Sequence, residues 1–354
     1  MRIIKLTVCI LFFAICTFFS LGTLITGSSV ITEGGIEKPK LITETGVNRN
    51  FGNEYEEYFS RAFAYRRYVV DAWSDLRVKV FSEGNDQVVV GKNGYLFFAE
   101  TLNAYTGLDP MTDEEIDSAA DSLLALQNYA ASHGAKFCFL PAPDKNTIYP
   151  ENMPSRYIKA DTTDLDRLIE ALEERGVTFV DPRDKLTAAK SSAKVYYLTD
   201  THWTPDGAEL AFGLLSDKLG IKMPDTASLG RIDESIQGDL NTLLYPGRTL
   251  TETVRVHDYS DSFIYTSAFS TPMDMVITSR GGGSGKALIF RDSFCNALLG
   301  CAASSFAEAK FERANPFRLD QLEGEKFDYV IVEIAERNLR NLIGSDERIK
   351  EVIS

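Results

Sequence analysis

The chain has 354 residues, 44% of them hydrophobic, the proportion of a protein that packs a core rather than staying disordered. With 37 Lys+Arg against 51 Asp+Glu its formal charge is −14, which excludes a nucleic-acid partner held by counterion release. Three histidines and five cysteines without a Cys-x-x-Cys pair give too few ligands at recognisable spacing for a zinc cage, so no metal and no other cofactor is expected.

At the amino end no charged residue occurs from Leu6 to Thr32, and the apolar part, Leu6 to Ile25, is 20 residues long. As a helix it matches a hydrocarbon core of about 30 Å. Arg2 and Lys5 precede it and Glu33 follows, so the positive-inside bias leaves the amino terminus in the cytoplasm and places the remainder outside. A cleaved signal peptide is the competing reading, but Leu24-Ile25-Thr26-Gly27 lacks the small-residue cleavage pattern. Residues 1–27 are therefore expected to be a cytoplasmic tip and transmembrane signal-anchor. Cys9 and Cys16 fall inside it; Cys138, Cys295 and Cys301 remain, an odd number that does not make a disulfide framework. Residues 28–50 mix Gly, Ser, Thr, Glu and Lys and read as a linker.

Residues 51–354 read as one extracytoplasmic domain, with a helix and hairpin subregion over 51–110. Tyr55, Tyr58, Phe59 and Phe63 recur at helical spacing, and Asn93-Gly94 sits between the β-prone runs Val88–Val90 and Tyr95–Phe98. Helix and strand then alternate. A helix from about Thr112 to Ser132, with Thr112 and Glu115 as a capping box, leads to the run Phe137–Leu140 and a helix from about Asp164 to Arg175. Further strands are expected at Val177–Val180, Val195–Leu198, Ala287–Phe290 and Tyr329–Ile334, an α/β pattern with a mostly parallel sheet covered on both faces. The run Gly281–Gly285 reads as a flexible loop without the Lys-Ser/Thr of a phosphate loop.

Two segments carry the chemistry. Asp200-Thr201-His202-Trp203 follows the expected strand Val195–Leu198 and precedes Thr204-Pro205, a helix start. Asp200 and His202 share one side of an extended chain, and contact between them needs a local turn. In contact, the carboxylate would fix the imidazole tautomer; otherwise Asp200 caps a turn and His202 is a core histidine. Arg291-Asp292-Ser293-Phe294 follows the strand Ala287–Phe290 and opens an apolar helix, where Ser293 has free backbone N–H groups beside it. Asp and Ser are also ordinary caps. Nucleophile, base and orienting acid at strand ends together favour catalysis.

The Asp-Thr-His-Trp and Arg-Asp-Ser-Phe runs, with Pro143–Pro150, the hairpin Gly91–Phe97, Gly238-Asp239-Leu240 and Val332-Glu333-Ile334, resemble the alginate O-acetylation proteins and their DHHW relatives. The resemblance spans about Phe51 to the carboxyl terminus. It implies an SGNH-hydrolase-like three-layer α/β/α sandwich, with Ser293 as nucleophile, His202 as base and Asp200 as orienter. It also implies acetyl transfer to hydroxyls of an exported polysaccharide, beside a multi-spanning membrane O-acyltransferase that supplies the acetyl groups. Ordinary SGNH enzymes place the serine block first; here Ser293 follows His202 by 91 residues, the permuted order of the alginate-type branch. Arg291 replaces the glycine of Gly-Asp-Ser, and the oxyanion hole is assigned no further than the Ser293 backbone N–H, with Asn296 a candidate.

Besides Asn296, three residues are supporting candidates. Lys145 is expected on the rim, orienting substrate or a triad carboxylate, or simply solvated. Trp203 is expected either as a platform for a sugar ring or as packing under the active-site helix. Arg291 either holds an anionic substrate group or, the favoured reading, pairs with Asp292. His133 reads as a helix-end residue, Cys295 as a small buried one, and His257 has no motif around it. The sequence thus points to a membrane-anchored, extracytoplasmic serine O-acetyltransferase. A carbohydrate esterase with the same triad and a non-catalytic polysaccharide-binding or assembly protein stand as alternatives.

Overall fold

The structure is a computed structural model that describes residues 2–26, 37–44, 46–313 and 324–344. Residues 28–36 of the expected linker and the last ten of the chain lie outside the described residues. The chain divides into two units: Met1–Phe81 with Tyr245–Arg248, and Ser82–Leu244 with Thr249–Ser354.

In the first unit, Arg2–Thr26 is a single helix. Its segment Lys5–Thr23 has a mean hydropathy of 2.2 and none of it is buried, so by length and composition it is a candidate membrane span or signal. The helices Phe51–Ala62 and Arg66–Leu76 follow, hinged at Tyr65, which takes φ +64°. Phe18 stacks on Tyr65, Phe19 meets Phe63 edge to face, and Thr23 Oγ1 accepts the Ala64 N–H at 2.9 Å. Arg248 closes the unit with two hydrogen bonds to Asp75, of 3.1 and 2.6 Å.

The second unit is built on a six-stranded sheet. Its strands are β1 (Lys136–Ala142), β2 (Phe263–Tyr265), β3 (Val276–Gly281), β4 (Lys286–Phe290), β5 (Glu308–Glu312) and β6 (Tyr329–Ala335). Across the sheet they run β1-β6-β4-β5-β3-β2. The first four are mutually parallel, and β3 and β2 are added antiparallel. Successive residues of the parallel strands enter opposite cores, as the two-residue period requires. Phe137, Phe139, Leu288, Phe290, Val330 and Val332 face α1 (Asp113–Ser132) and α2 (Asp164–Arg175). Cys138, Leu140, Ile289 and Ile331 face α3 (Pro205–Leu219) and the Phe294–Leu298 turn with α4 (Leu299–Ser305). This is the expected three-layer α/β/α sandwich with a mostly parallel sheet.

The helix starts follow their sequence signals. Thr112 with Glu115 forms the expected capping box, and Thr163 with Asp166 forms another. Asn93 and Gly94 take φ +56° and +81°, which lets Val88–Val90 fold back on Leu96–Phe98.

Three expectations are corrected. Val177–Val180 contributes only a single bridge, Phe179 beside Phe139, and Val195–Leu198 only Tyr196 beside Trp203. Phe179 meets β1 through two 3.0 Å backbone bonds, Phe139 N–H to the Thr178 carbonyl and Val180 N–H to the Phe139 carbonyl, and neither segment extends into a ladder. The Gly281–Gly285 run is packed rather than loose: a Cβ on Gly281 would meet the Ala303 carbonyl at 2.1 Å, and one on Gly283 the Ser305 carbonyl at 1.9 Å. Those glycines let the chain pass against the end of α4.

Candidate active site

Ser293 sits in the turn that leaves the carboxyl end of β4. The turn is held from three sides. Asp292 accepts the Phe294 N–H at 2.9 Å, the Ala335 N–H at 2.8 Å and the Asn338 side-chain amide at 2.8 Å. Glu333, on neighbouring β6, accepts the Asp292 N–H at 3.2 Å. Trp203 donates its indole N–H to the Phe294 carbonyl at 2.8 Å. Burial, then the charge of Asp292, push the Glu333 carboxyl well above its ordinary range.

The second segment is a turn, not the end of a sheet strand, and it is held through its backbone by side chains of opposite charge. Lys145 Nζ donates to the carbonyls of Tyr197, Leu198 and Asp200 at 3.1, 3.1 and 2.6 Å. Three acceptors satisfy the three N–H bonds of an ammonium, while burial pushes its pKa down to about 7 against the pull of Asp200, Asp239 and Glu252. Glu252 accepts the N–H groups of Leu198 and Thr199 and the Thr199 hydroxyl, at 2.9 to 3.1 Å. Asp239 accepts the Thr201 N–H at 2.8 Å and its hydroxyl at 2.6 Å. Gly238 admits this clamp, since a Cβ there would meet the Thr199 carbonyl at 2.1 Å.

Clamped in this way, the two segments bring three side chains into line across 91 residues. The Ser293 hydroxyl lies 2.9 Å from His202 Nε2, and His202 Nδ1 lies 2.7 Å from Asp200 Oδ1. Asp200 Oδ1 also accepts the His202 N–H at 2.9 Å, and Oδ2 accepts the Asp239 N–H at 2.9 Å. Burial raises the Asp200 pKa, but the bonds from His202 and Asp239 outweigh it and hold the carboxyl below its ordinary value. Asp239, facing Asp200, is raised by burial and by that neighbour's charge. Serine bonded to imidazole, and imidazole to an ionised carboxylate, is the arrangement that turns a hydroxyl into a nucleophile.

The three open onto a cleft of about 460 Å³ that extends past Tyr197, Ile232 and Glu234 to His257 and Tyr259. Its far end holds a second imidazole–carboxylate pair, His257 Nδ1 to Glu209 at 2.8 Å. Two trios, Asp200, His202, Asp239 and Asp206, Glu209, His257, stand close enough to ligate a cation. In each, the imidazole Nδ1 already has a carboxylate partner, and Arg231 lies 3.4 Å from His257 Nε2.

Lys145 and Arg291 are placed differently from expectation, whereas Trp203 takes the second of its two expected roles. Lys145 is buried beneath the Asp200 turn and bonds its backbone, touching neither solvent nor the carboxylate. Trp203 is 0% exposed, so it packs under the serine turn and presents no ring face to a sugar. Arg291 does not pair with Asp292, whose oxygens are taken by backbone and Asn338. Arg291 reaches Asn296 Oδ1 at 2.9 Å and the Asp274 carbonyl at 2.8 Å. That bond orients Asn296, which does line the cleft. His133 ends α1 with Nδ1 2.9 Å from the Tyr129 carbonyl, and Cys295 is buried, its thiol pushed up by burial. Sequence reasoning passed over Asp239, Glu252 and Asn338. Only Asp239 had a visible signal, as part of Gly238-Asp239-Leu240.

Residues 88–252 match the protein-family profile described as the SGNH hydrolase-like domain, acetyltransferase AlgX. Among solved structures, Bacillus cereus PatB1 superposes with a TM-score of 0.55 at 17% identity, over 72% of this chain and 97% of that one. A DHHW family protein from Eubacterium siraeum does so with a TM-score of 0.50 at 17% identity, over 66% and 88%. The fold is therefore that of SGNH-hydrolase-like domains. Within it, the chain is similar to the alginate O-acetylation proteins. The probable alginate O-acetylase AlgJ of Pseudomonas syringae pv. tomato is 28% identical over 219 residues, covering 58% of this chain and 51% of that protein. The Pseudomonas aeruginosa protein of the same name is 28% identical over 191 residues, covering 51% and 44%. The chain spans about half the length of these curated relatives.

Proposed function

We propose that the chain is a serine-dependent O-acetyltransferase that acetylates hydroxyls of an exported or cell-surface polysaccharide. The observation that carries this is the line Ser293–His202–Asp200, at 2.9 and 2.7 Å, opening onto a cleft. His202 Nε2 takes the Ser293 proton as Oγ attacks the acetyl carbonyl of the donor; the donor's leaving oxygen departs with that proton, leaving acetyl-Ser293. His202 then takes the proton of a sugar hydroxyl, whose oxygen attacks the acetyl carbonyl, and returns it to Ser293 Oγ as the ester bond breaks. Asp200 stabilises the imidazolium in both halves. The backbone N–H of Ser293, unpaired among the described residues, is positioned to donate to the oxyanion, with the Arg291-oriented Asn296 amide as a second donor.

In this reading residues 1–27 anchor the chain in the cell membrane as a single pass, 28–50 form the tether, and 51–354 work outside. A multi-spanning membrane O-acyltransferase supplies the acetyl group. The test is mass spectrometry of the full chain in detergent after incubation with an activated acetyl ester, with and without oligosaccharide, beside Ser293→Ala. The expected result is acetyl on Ser293 that moves to sugar. Loss to water regardless of acceptor identifies an esterase. Absence of any Ser293 adduct overturns the acyl-enzyme mechanism.

A further inference from the structure

The cleft beyond the serine carries charge of one sign. Besides Asp200 it is lined by the carboxylates of Glu209, Glu234 and Asp258, and among the described residues no lysine or arginine lines it. Its two histidines, His202 and His257, each already face a carboxylate. The neighbouring arginines are engaged elsewhere: Arg231 bonds both oxygens of Asp206, at 3.0 and 2.8 Å, and Arg291 is buried against Asn296 and the Asp274 carbonyl. Glu234 stands on the exposed strand Arg231–Gln237, and Asp258 follows directly on its partner Thr251–His257. The negative wall is thus built on a hairpin that flanks the site. Apolar Ile232 and Val256 from the same two strands lie in the cleft with them.

A sugar carboxylate entering this cleft would lose water without meeting a cation and would face fixed like charges in a confined space, where fields are focused. Hydroxyls and amines, which donate hydrogen bonds, instead find acceptors. We infer that the acceptor is a glycan without carboxylate groups, neutral or amine-bearing, and that the Glu234–Asp258 wall excludes uronates by like-charge repulsion. The inference rests on the acetyltransferase reading for the identity of the site, and it separates this chain from relatives named for alginate, a polyuronate.

Binding reads the preference without chemistry. The full-length Ser293→Ala chain in detergent is titrated with three tetrasaccharides of equal length: a neutral gluco-oligosaccharide, its amine-bearing glucosamine counterpart and an oligouronate. The expected result is affinity for the neutral and amine sugars at least tenfold above that for the uronate, with the gap narrowing at raised salt. Glu234→Lys, on an exposed strand position, should improve uronate binding several-fold, with Glu234→Gln in between. Uronate binding equal to or tighter than the others overturns the inference, as does failure of all three to bind or a Glu234 series that leaves the ratio unmoved. Acetylation of wild-type Ser293 is followed separately, so a failed mechanism and a failed preference leave different signatures.

Discussion

One cleft holds two imidazole–carboxylate pairs of almost equal geometry, His202–Asp200 at 2.7 Å and His257–Glu209 at 2.8 Å. They differ in what stands on the other ring nitrogen. His202 Nε2 faces a serine hydroxyl at 2.9 Å, whereas His257 Nε2 faces the Arg231 guanidinium at 3.4 Å. A guanidinium donates and never accepts, so in that contact Nε2 of His257 is the acceptor and Nδ1–H points toward Glu209. A hydroxyl can give its proton up. The third partner therefore decides which pair can act as a base, and the histidine–carboxylate contact alone does not.

The comparison can be broken in several ways, beginning with the largest effect. Ser293→Ala is expected to lower acetyl transfer by about 10⁴-fold or more, read as turnover of an acetyl ester, since it removes the atom that forms the covalent bond. Asp200→Asn should cost about 10²–10⁴-fold in kcat with little change in acceptor KM, because an amide favours the wrong imidazole tautomer. Equal losses on mutating His257 would contradict the distinction.

Next comes the support under one pair only. Lys145→Met leaves three carbonyls beneath the Asp200 turn without their donor, and a loss of about 2–4 kcal/mol in unfolding free energy by denaturant titration is expected. The two carboxylates should also respond to pH with opposite sign. The Asp200 pKa is lowered on folding, so its contribution is fully present above its ordinary value near 3.8 and is lost as pH falls below that value and through the lowered folded-state one. Burial, the largest influence on Glu209, raises its pKa, so its ionisation costs stability as pH climbs above about 4.5. Thermal melts from pH 3 to pH 8 should show Asp200→Asn losing its deficit in acid. Glu209→Gln should gain on wild type as pH rises. Smallest of all, His257→Gln should change kcat by less than about threefold in the same turnover assay, since its ring touches no reacting atom.

Much of this was legible in the sequence where signals are local. Thr112 with Glu115, the Asn93-Gly94 turn and the apolar runs of β1, β4 and β6 announced their structures because caps, turns and two-residue alternation act within a few residues. The meeting of Asp200, His202 and Ser293 came from motif resemblance. Their juxtaposition depends on partners far along the chain, such as Lys145, Glu252 and Asn338, which no local pattern marks. The strand expected at Val195–Leu198 shows the same limit. Its composition suits a strand, yet its backbone groups are claimed by Glu252 and Lys145. The charged wall was equally hidden, because Glu234 and Asp258 lie 24 positions apart and come to line one cleft only through the pairing of Arg231–Gln237 with Thr251–His257.

The position of β6 carries a consequence for the order of events in a cell. This strand, Tyr329–Ala335, is the last described strand of the sheet to be synthesised, yet it lies between β1 and β4 and pairs with both. It also supplies Glu333 and the Ala335 N–H that brace the turn bearing Ser293. The histidine arm thus waits, without its serine correctly set, until translation has passed residue 335. Until then the turn bearing Ser293 lacks its bracing from Glu333 and the Ala335 N–H. The chain's maturation is governed by long-range closure, which is slow, rather than by the quick formation of its helices.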